Sequence, residues 1–322
     1  MDLVSIAHSM KLLSSLRLLV LISVGLFFRL GCSDRVTVLK DLEYGTYSLG
    51  GSQGRLLLDL YLPTVASSQP LPVLIFIHGG GWVERNKEDC PGELVARRGL
   101  ALACINYRYS YQAIFPAQIH DVKAAVRWLR KNATRYNLDP NRFGAWGDSA
   151  GGYLSALLGT SAGVPSLEGA TGNEPISSKI QAVSNWYGPT DLTKFPRAFA
   201  EFPTPEVLEK NQGQPWLKLT EVVYRLLGGP ISQRRELAAL ANPIAHIDER
   251  DPPFLIVHGE LDDVVPVSQS DLLVKALQEK GVEVEYVRDR NLKHSYRGQN
   301  GEPFDPNLME ITLNFFERHL KQ

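Results

Sequence analysis

Residues 143–152 read FGAWGDSAGG, an apolar strand-like run that continues directly into the pattern G-x-S-x-G and then into an apolar helical stretch. A serine on a sharp strand-to-helix turn needs neighbouring glycines, because the backbone is strained and a nearby side chain would clash. The N-terminus of the following helix also places positive partial charge beneath a developing anion. The stretch therefore predicts that Ser149 is an activated nucleophile at the end of a strand.

The chain around this stretch alternates between short apolar runs and longer runs with helical periodicity. Apolar runs lie at 56–62, 73–77, 100–105 and 254–257, further strands are predicted at 182–186 and 282–287, and the helical runs lie at 118–137, 269–279 and 307–320. This alternation predicts an α/β fold, with a mostly parallel central sheet and helices on both faces. Residues 34–322 contain no repeat or linker, so we expect one domain. Residues 190–242 interrupt the rhythm and predict a small helical, cap-like insertion.

A serine hydroxyl needs a general base, and that base needs an acid to orient it. Asp262 follows the predicted strand at 254–257, and His294 follows the predicted strand at 282–287. Catalytic groups gather at the carboxyl ends of strands in such sheets. We therefore predict Ser149 as nucleophile, His294 as base and Asp262 as orienting acid. Asp263 and Glu260 remain rivals for the acid.

A glycine-rich segment at 78–82, HGGGW, follows the apolar run at 73–77. Attack on an ester carbonyl leaves negative charge on its oxygen, and backbone N–H groups must already point at it. We predict an oxyanion hole made by the amides of Gly80, Gly81 and Ala150. A phosphate-binding loop would normally lead into Lys-Ser or Lys-Thr, and neither follows here.

The remaining histidines give no metal site. His120 and His246 have no companion at ligand spacing, and the cysteines do not cluster. His78 and His258 each precede a loop and are predicted to be structural, holding loop backbone through hydrogen bonds. No metal and no cofactor are expected.

Three aromatic residues, Trp82, Trp186 and Tyr187, lie near the predicted loops. They are candidates for the wall of a substrate pocket, although aromatic residues near strand ends also serve as packing. The sequence leaves both interpretations open.

The composition excludes some partners. The 322 residues carry a net charge of −1, without a Lys/Arg run outside the N-terminal region. Phosphate binding needs a concentrated positive patch, so no nucleic-acid surface is expected. The near-neutral net charge fits a small-molecule or carbohydrate substrate better, one that is neutral or recognised by its shape.

The first 33 residues differ from the rest of the chain. They begin with positively charged residues, continue with an apolar stretch at 18–28 and end in small residues. This pattern is typical of an export signal that is cut after Ser33. The stretch is too short to span a membrane, which takes about 20 residues. Alternatives are a lipoprotein signal with Cys32 lipidated, a true start at Met10, or a cytoplasmic protein with an apolar tail. We expect an exported protein, whether secreted, periplasmic or lipid-anchored.

The two cysteines beyond that region, Cys90 and Cys104, could be bridged in an oxidising compartment. Cys104 lies inside the apolar run at 100–105. A small buried thiol is therefore the favoured interpretation.

Together, the segments HGGGW (78–82), GDSAGG (147–152) and YGPTD (187–191) resemble the HGGG-type, hormone-sensitive-lipase-like esterases of the α/β-hydrolase superfamily. Residues 115–130, and DPPF (251–254) running into HGELD (258–262), are similar to its secreted bacterial branch of feruloyl-esterase and acetyl-xylan-esterase-like proteins. The resemblance begins at about Leu56 and extends to the C-terminus, and it departs most at 190–242.

The resemblance implies the α/β-hydrolase fold, in which the triad follows the chain order Ser, Asp, His. It also implies an oxyanion hole at Gly80 and Gly81. The expected activity is hydrolysis of small or short-chain acyl esters through an acyl-enzyme, including acetyl or feruloyl esters of plant polysaccharides. A serine peptidase or amidase of the same fold, and a ligand-binding protein without turnover, are the alternatives.

Overall fold

The computed structural model describes residues 36–64, 69–169, 175–194, 215–295 and 304–321. Residues Val36–Gln322 form one compact unit. The predicted export signal, at 1–33, lies outside the described residues. Within the described ranges, no helix is both long and apolar enough to cross a membrane.

One sheet runs through the described part of the chain and contains eight strands. They are β1 (Val36–Leu49), β2 (Ser52–Pro63), β3 (Leu71–Ile77), β4 (Ala101–Ile105), β5 (Leu138–Asp148), β6 (Ala182–Trp186), β7 (Phe254–Gly259) and β8 (Val284–Asp289). The α-helices described are α1 (Gly92–Arg97), α2 (Ala117–Lys131), α3 (Ala133–Tyr136), α4 (Ala150–Thr160), α5 (Pro165–Glu168), α6 (Pro215–Leu227), α7 (Arg235–Leu240), α8 (Ser268–Glu279) and α9 (Pro306–Leu320).

The strands are ordered β1-β2-β4-β3-β5-β6-β7-β8 across the sheet. β2 pairs antiparallel with β1 and β4, and every other pairing is parallel. This confirms the prediction of a mostly parallel α/β sheet. Because β5, β7 and β8 run in the same direction, the loops that follow them emerge at one edge of the sheet.

The core consists of two layers, one on each face of the sheet. In β3, Val73, Ile75 and Ile77 pack into the same cluster as buried residues of α2, α4 and α8. The intervening Leu74 and Phe76 pack with buried residues of α1 and α9. Successive side chains of a strand point to opposite faces, so an unbroken apolar run is buried on both sides. This explains why the central strands could be recognised in the sequence.

Two elements differ from the expectation. The helix predicted over 118–137 ends at Lys131, where the Asn132 side-chain amide donates to the Trp128 carbonyl at 2.8 Å, and the short α3 follows. β1 was not predicted as a strand. It is an edge strand in which Tyr44 alone is buried and the other residues are exposed or partly exposed. Bulges interrupt its alternation between Leu39 and Leu42 and between Glu43 and Gly45.

The interpretation of Cys104 as a free buried thiol is wrong. Cys90 and Cys104 form a disulfide. It joins the loop before α1 to β4, whose residues are fully buried. The two cysteines are 14 residues apart in the sequence. Their pairing could not be predicted from the sequence, because it requires the loop that carries Cys90 to lie beside β4.

Candidate active site

Ser149 occupies the turn between β5 and α4, with a positive φ of 52° and ψ of −118°. Its amide donates to the Trp186 carbonyl at 2.8 Å, and its carbonyl accepts from the Tyr153 amide at 3.0 Å. Such backbone angles are sparsely populated for residues other than glycine and cluster at functional sites. The turn therefore holds the Ser149 side chain clear of the strand it follows.

The glycines around this turn are required by close approach of the backbone. A Cβ at Gly151 would lie 1.9 Å from the Ile77 carbonyl oxygen. A Cβ at Gly147 would lie 2.4 Å from the carbonyl carbon of Gly151. Real Cβ atoms do not approach backbone atoms this closely, so only glycine fits. This agrees with the reason given for the G-x-S-x-G pattern.

The structure brings together the three side chains predicted for the triad. Ser149 Oγ lies 2.9 Å from His294 Nε2, and His294 Nδ1 lies 2.7 Å from Asp262 Oδ2. With the proton of His294 on Nδ1, the ring donates to the carboxylate, and Nε2 accepts from the Ser149 hydroxyl. This is the geometry in which an imidazole can take the serine proton as the oxygen attacks.

The Asp262 side chain is fully buried. Its Oδ1 atom accepts from the amides of Val264 and Val265 at 2.9 and 2.8 Å. Burial acts to raise the pKa of Asp262, but the hydrogen bonds from His258 and His294 outweigh it and lower the pKa. The carboxyl group is therefore ionised, as an orienting acid must be.

The rival acids lie elsewhere. Asp263 is exposed, and Glu260 pairs with Arg288 at 2.9 Å. Of the three candidates along this loop, Asp262 is the one whose carboxylate contacts His294.

The glycine-rich loop turns sharply after β3. Gly80 and Gly81 have φ values of 94° and 58°, and the Gly80 carbonyl accepts from the amides of Val83 and Glu84. The amides of Gly80, Gly81 and Ala150 have no acceptor among the residues that the structure describes. Gly80 and Gly81 share a cavity wall with Ser149, and Ala150 follows Ser149 in the chain. These amides are therefore available to a substrate oxygen.

Asp148 connects the serine turn to the glycine-rich loop through hydrogen bonds. Its Oδ1 atom accepts from the Gly79 amide at 3.1 Å, and its Oδ2 atom accepts from Arg85 Nη1 at 2.6 Å. Burial raises the pKa of Asp148, and Arg85 opposes this rise. Arg85 lies beyond the recognised segment, and no spacing pattern identified it.

His78 supports the glycine-rich loop through contacts with Gly79 and Tyr107. Its ring is buried and stacks on Tyr107 with the ring centroids 4.4 Å apart, and its Nδ1 atom lies 2.8 Å from the Gly79 carbonyl. Burial lowers the pKa of His78 to about 4, so the ring is neutral near pH 7 and donates from Nδ1. His78 thus has the loop-holding position predicted for it.

A cavity of about 630 Å³ opens at Ser149 and His294. One wall comes from α6, which lies in the segment predicted to be a cap-like insertion. Residues 195–214 of that segment lie outside the described residues. The lining residues described are Gly80, Gly81, Val83, Glu84, Arg85, Tyr111, Asp148, Ser149, Tyr187, Leu219, Glu221, Val222, Arg225, Val264, His294 and Ser295.

Of the three aromatic candidates for the pocket wall, the structure places one at the cavity. The Tyr187 ring lies 4.8 Å from that of His294, edge to face. Trp82 and Trp186 are not among the described lining residues, so the pocket interpretation is wrong for them. Trp82 packs edge-on against Tyr153, and Trp186 packs against Trp146 and donates from its indole to Thr312 Oγ1 at 3.2 Å. Both are fully buried core residues.

The one group of three potential metal ligands found among the described residues lies elsewhere. Ligand atoms of Glu283, Glu285 and His319 lie within 4.8 Å of one another. They gather near the amino end of β8, whereas Ser149 follows the carboxyl end of β5. Arg318 forms an ion pair with Glu285. This group has no part in the site at Ser149.

Comparison with known proteins adds the family context. The BD-FAE family model matches residues 58–277, which include Ser149 and Asp262 and end before His294. Esterase LipQ of Mycobacterium tuberculosis is 33% identical over 262 residues, which are 80% of this chain and 57% of that protein. The chain spans between about half and two-thirds of the length of this and two other curated relatives that it matches.

Two solved structures share both the fold and appreciable sequence identity. A truncated form of a carbohydrate esterase from gut microbiota superposes with a TM-score of 0.73 at 29% identity, covering 89% of this chain and 97% of that one. A bifunctional GH43-CE protein of Bacteroides eggerthii gives a TM-score of 0.71 at 34% identity, covering 88% of this chain and 38% of that one.

Proposed function

The chain belongs to the BD-FAE family of α/β-hydrolases, and on that premise we propose that it is a serine carboxylesterase that hydrolyses small or short-chain acyl esters. The observation that carries the proposal is the hydrogen-bonded series from Ser149 through His294 to Asp262, which opens on a cavity with unengaged backbone amides. The esterases among its relatives and structural neighbours agree with it.

The proposed reaction proceeds through two tetrahedral intermediates. Ser149 Oγ attacks the ester carbonyl carbon while His294 Nε2 takes the hydroxyl proton, and Asp262 stabilises the imidazolium. The carbonyl oxygen gains negative charge within reach of the amides of Gly80, Gly81 and Ala150. As the bond to the alcohol oxygen breaks, His294 returns the proton to that oxygen, and the alcohol leaves an acyl-enzyme.

Water completes the cycle. His294 removes a proton from a water molecule as its oxygen attacks the acyl carbon. The bond to Ser149 Oγ then breaks, His294 returns the proton to that oxygen, and the carboxylic acid is released. Each step uses groups of this chain and water, so the mechanism calls for no cofactor.

We further propose that the alcohol part of the ester is a carbohydrate. The Tyr111 side chain lines the cavity although 59% of its surface is exposed, and its ring lies 5.3 Å from that of Tyr109. An exposed aromatic face beside a polar rim suits a sugar ring, which has an apolar face and hydroxyls at its edge. The carbohydrate esterase among the structural neighbours supports this choice.

Replacing Tyr111 with alanine is expected to raise KM for acetylated xylo-oligosaccharides about fivefold, as the loss of roughly 1 kcal/mol of stacking predicts. The kcat should change less than about threefold, because Tyr111 does not contact the triad. Tyr111→Phe, which keeps the ring, is the matched control and should behave as wild type. Equal KM values for wild type and Tyr111→Ala would exclude a sugar contact at this ring.

The experiment that tests the function itself is hydrolysis of nitrophenyl esters from acetate to decanoate. We expect turnover with a preference for the shorter acyl groups. An aminoacyl anilide is assayed in parallel, since hydrolysis of the anilide at the rate of the esters would favour a peptidase or amidase. Absence of turnover above the buffer blank with every substrate would favour a ligand-binding protein.

We also propose that the protein is exported, with the disulfide between Cys90 and Cys104 in support. Disulfides persist in oxidising compartments and are rare in the cytosol. Mass spectrometry of the protein from fractionated producing cells should find it outside the cytoplasm, with its chain beginning at Asp34 or at a lipidated Cys32. A cytoplasmic protein that retains residues 1–33 and two free thiols would refute the proposal.

A further inference from the structure

His258 is the last residue but one of β7, and its side chain is completely buried. It is not among the described residues that line the cavity, so substrate does not touch it. Its Nε2 atom lies 3.2 Å from Asp262 Oδ2 and 2.9 Å from the Val265 carbonyl oxygen. Its Nδ1 atom lies 2.7 Å from Ser270 Oγ. The ring therefore contacts the same carboxylate oxygen as His294.

The position of the proton on the His258 ring follows from these neighbours. Both neighbours of Nε2, a carboxylate and a carbonyl, can only accept a hydrogen bond, so Nε2 must carry a proton. The Ser270 hydroxyl can either donate to Nδ1 or accept from it, so it satisfies that nitrogen whichever role Nδ1 takes.

The Asp262 carboxylate accepts three hydrogen bonds, from the amides of Val264 and Val265 to Oδ1 and from His294 Nδ1 to Oδ2. The Nε2–H of His258 is shared between the Val265 carbonyl at 2.9 Å and, as a longer contact, Asp262 Oδ2 at 3.2 Å. The contact from His258 adds to these three bonds in opposing rotation of the carboxylate about its Cβ–Cγ bond. It does not involve the substrate, and it persists while the proton of His294 moves.

We propose that His258 is a positioning residue for the hydrolysis: its Nε2–H, which faces the Val265 carbonyl and Asp262, holds Asp262 Oδ2 in the orientation that receives Nδ1–H of His294. The inference rests on the proposed esterase function, since it assigns a role within that reaction. It goes beyond the loop-holding role expected of His258, which the contact with the Val265 carbonyl alone would satisfy.

The test compares His258→Leu, which removes both ring nitrogens, with His258→Gln, whose amide nitrogen can reach the position of Nε2. For His258→Leu we expect kcat to fall roughly 10- to 100-fold, because small displacements of catalytic groups have effects of this size. KM should remain within about twofold, since His258 is remote from the cavity. His258→Gln should recover kcat to within about fivefold of wild type.

Ser270→Ala is a second control that removes a single hydroxyl from Nδ1 and leaves the two acceptors of Nε2 in place. We expect kcat within about twofold of wild type. Should His258→Leu fail to fold, His258→Asn takes its place, because its shorter amide does not reach the position of Nε2. An unchanged kcat in that variant would overturn the proposal.

A proton NMR measurement separates this inference from the esterase function. The His294 Nδ1 proton, shared with Asp262, should give a downfield resonance in wild type and in His258→Gln, and a shifted or broadened one in His258→Leu. This signal requires no turnover, so it reports on positioning even if no ester is hydrolysed.

His246→Leu serves as the control, because His246 lies outside the site and bonds the Leu240 carbonyl. It should leave kcat and the resonance unchanged. The proposal fails if His258→Leu retains the wild-type kcat, if Leu and Gln at this position reduce kcat equally, or if the resonance is the same in all variants.

Discussion

Ser149→Ala is expected to lower kcat for nitrophenyl acetate by on the order of 10⁴–10⁶, as loss of the nucleophile does in other serine hydrolases. The Oγ atom lies 2.9 Å from His294 Nε2, and Ser149 lines the cavity. The other two residues of the triad have no hydroxyl that could replace it. Alanine lacks only this oxygen and keeps the Cβ of serine. The fold should be retained, with the melting temperature within a few degrees of wild type.

The loss of rate is measured together with covalent labelling of the nucleophile. A fluorophosphonate should add its phosphonyl group to Ser149 Oγ with loss of fluoride, and intact mass should show the adduct in wild type but not in Ser149→Ala. Equal ester hydrolysis by both proteins, or labelling of the variant to the same extent, would show that Ser149 is not the nucleophile.

Asp262→Asn is expected to lower kcat by roughly 10³–10⁴. The amide side chain has no charge to stabilise the imidazolium, and it favours the ring form that carries its proton on the wrong nitrogen. The two amides of Val264 and Val265 on Oδ1 hold the replaced side chain in place, so the effect should be on chemistry more than on stability. KM for a short ester should change little.

Asp263→Asn is the matched control for this effect. It removes the same charge at the neighbouring position, on an exposed side chain for which no hydrogen bond is described. We expect kcat within about twofold of wild type, as for surface changes away from the site. A larger loss in Asp263→Asn than in Asp262→Asn would assign the orienting acid to Asp263.

The strands of the central sheet could be predicted because burial on both faces leaves a continuous apolar run, as in β3, β4, β6 and β7. β1 could not, because an edge strand with bulges keeps neither a continuous run nor a regular alternation. β5 and β7, which precede Ser149 and Asp262, end in buried runs of the first kind. β8, which precedes His294, is a partly exposed edge strand, and valines alternate with glutamates over 282–285 at its start. These two patterns are why the loops that carry Ser149, Asp262 and His294 could be placed at one edge of the sheet.

The cavity illustrates the opposite case. Leu219 and Val222 on α6 line it, although they are far from Ser149 in the sequence and belong to a segment without a recognisable motif. Trp186, in contrast, directly precedes the YGPTD segment (187–191) but faces the core, since alternation along β6 turns it toward α9. Proximity to a motif in the sequence therefore does not decide which side chains face the substrate.

By itself, the sequence determined the features that depend on local backbone chemistry: the parallel α/β sheet, the glycines at the serine turn and the type of each triad residue. Tertiary structure alone decided which groups meet. His294 is 145 residues from Ser149 and 32 from Asp262, and their contacts depend on the parallel register of β5, β7 and β8. Three features depend on which side chains are buried and in which direction they point: the choice of Asp262 over Asp263, the contact of His258 with Asp262, and the disulfide. Burial and direction are properties of the packed chain, because each is set by neighbours that are distant in sequence.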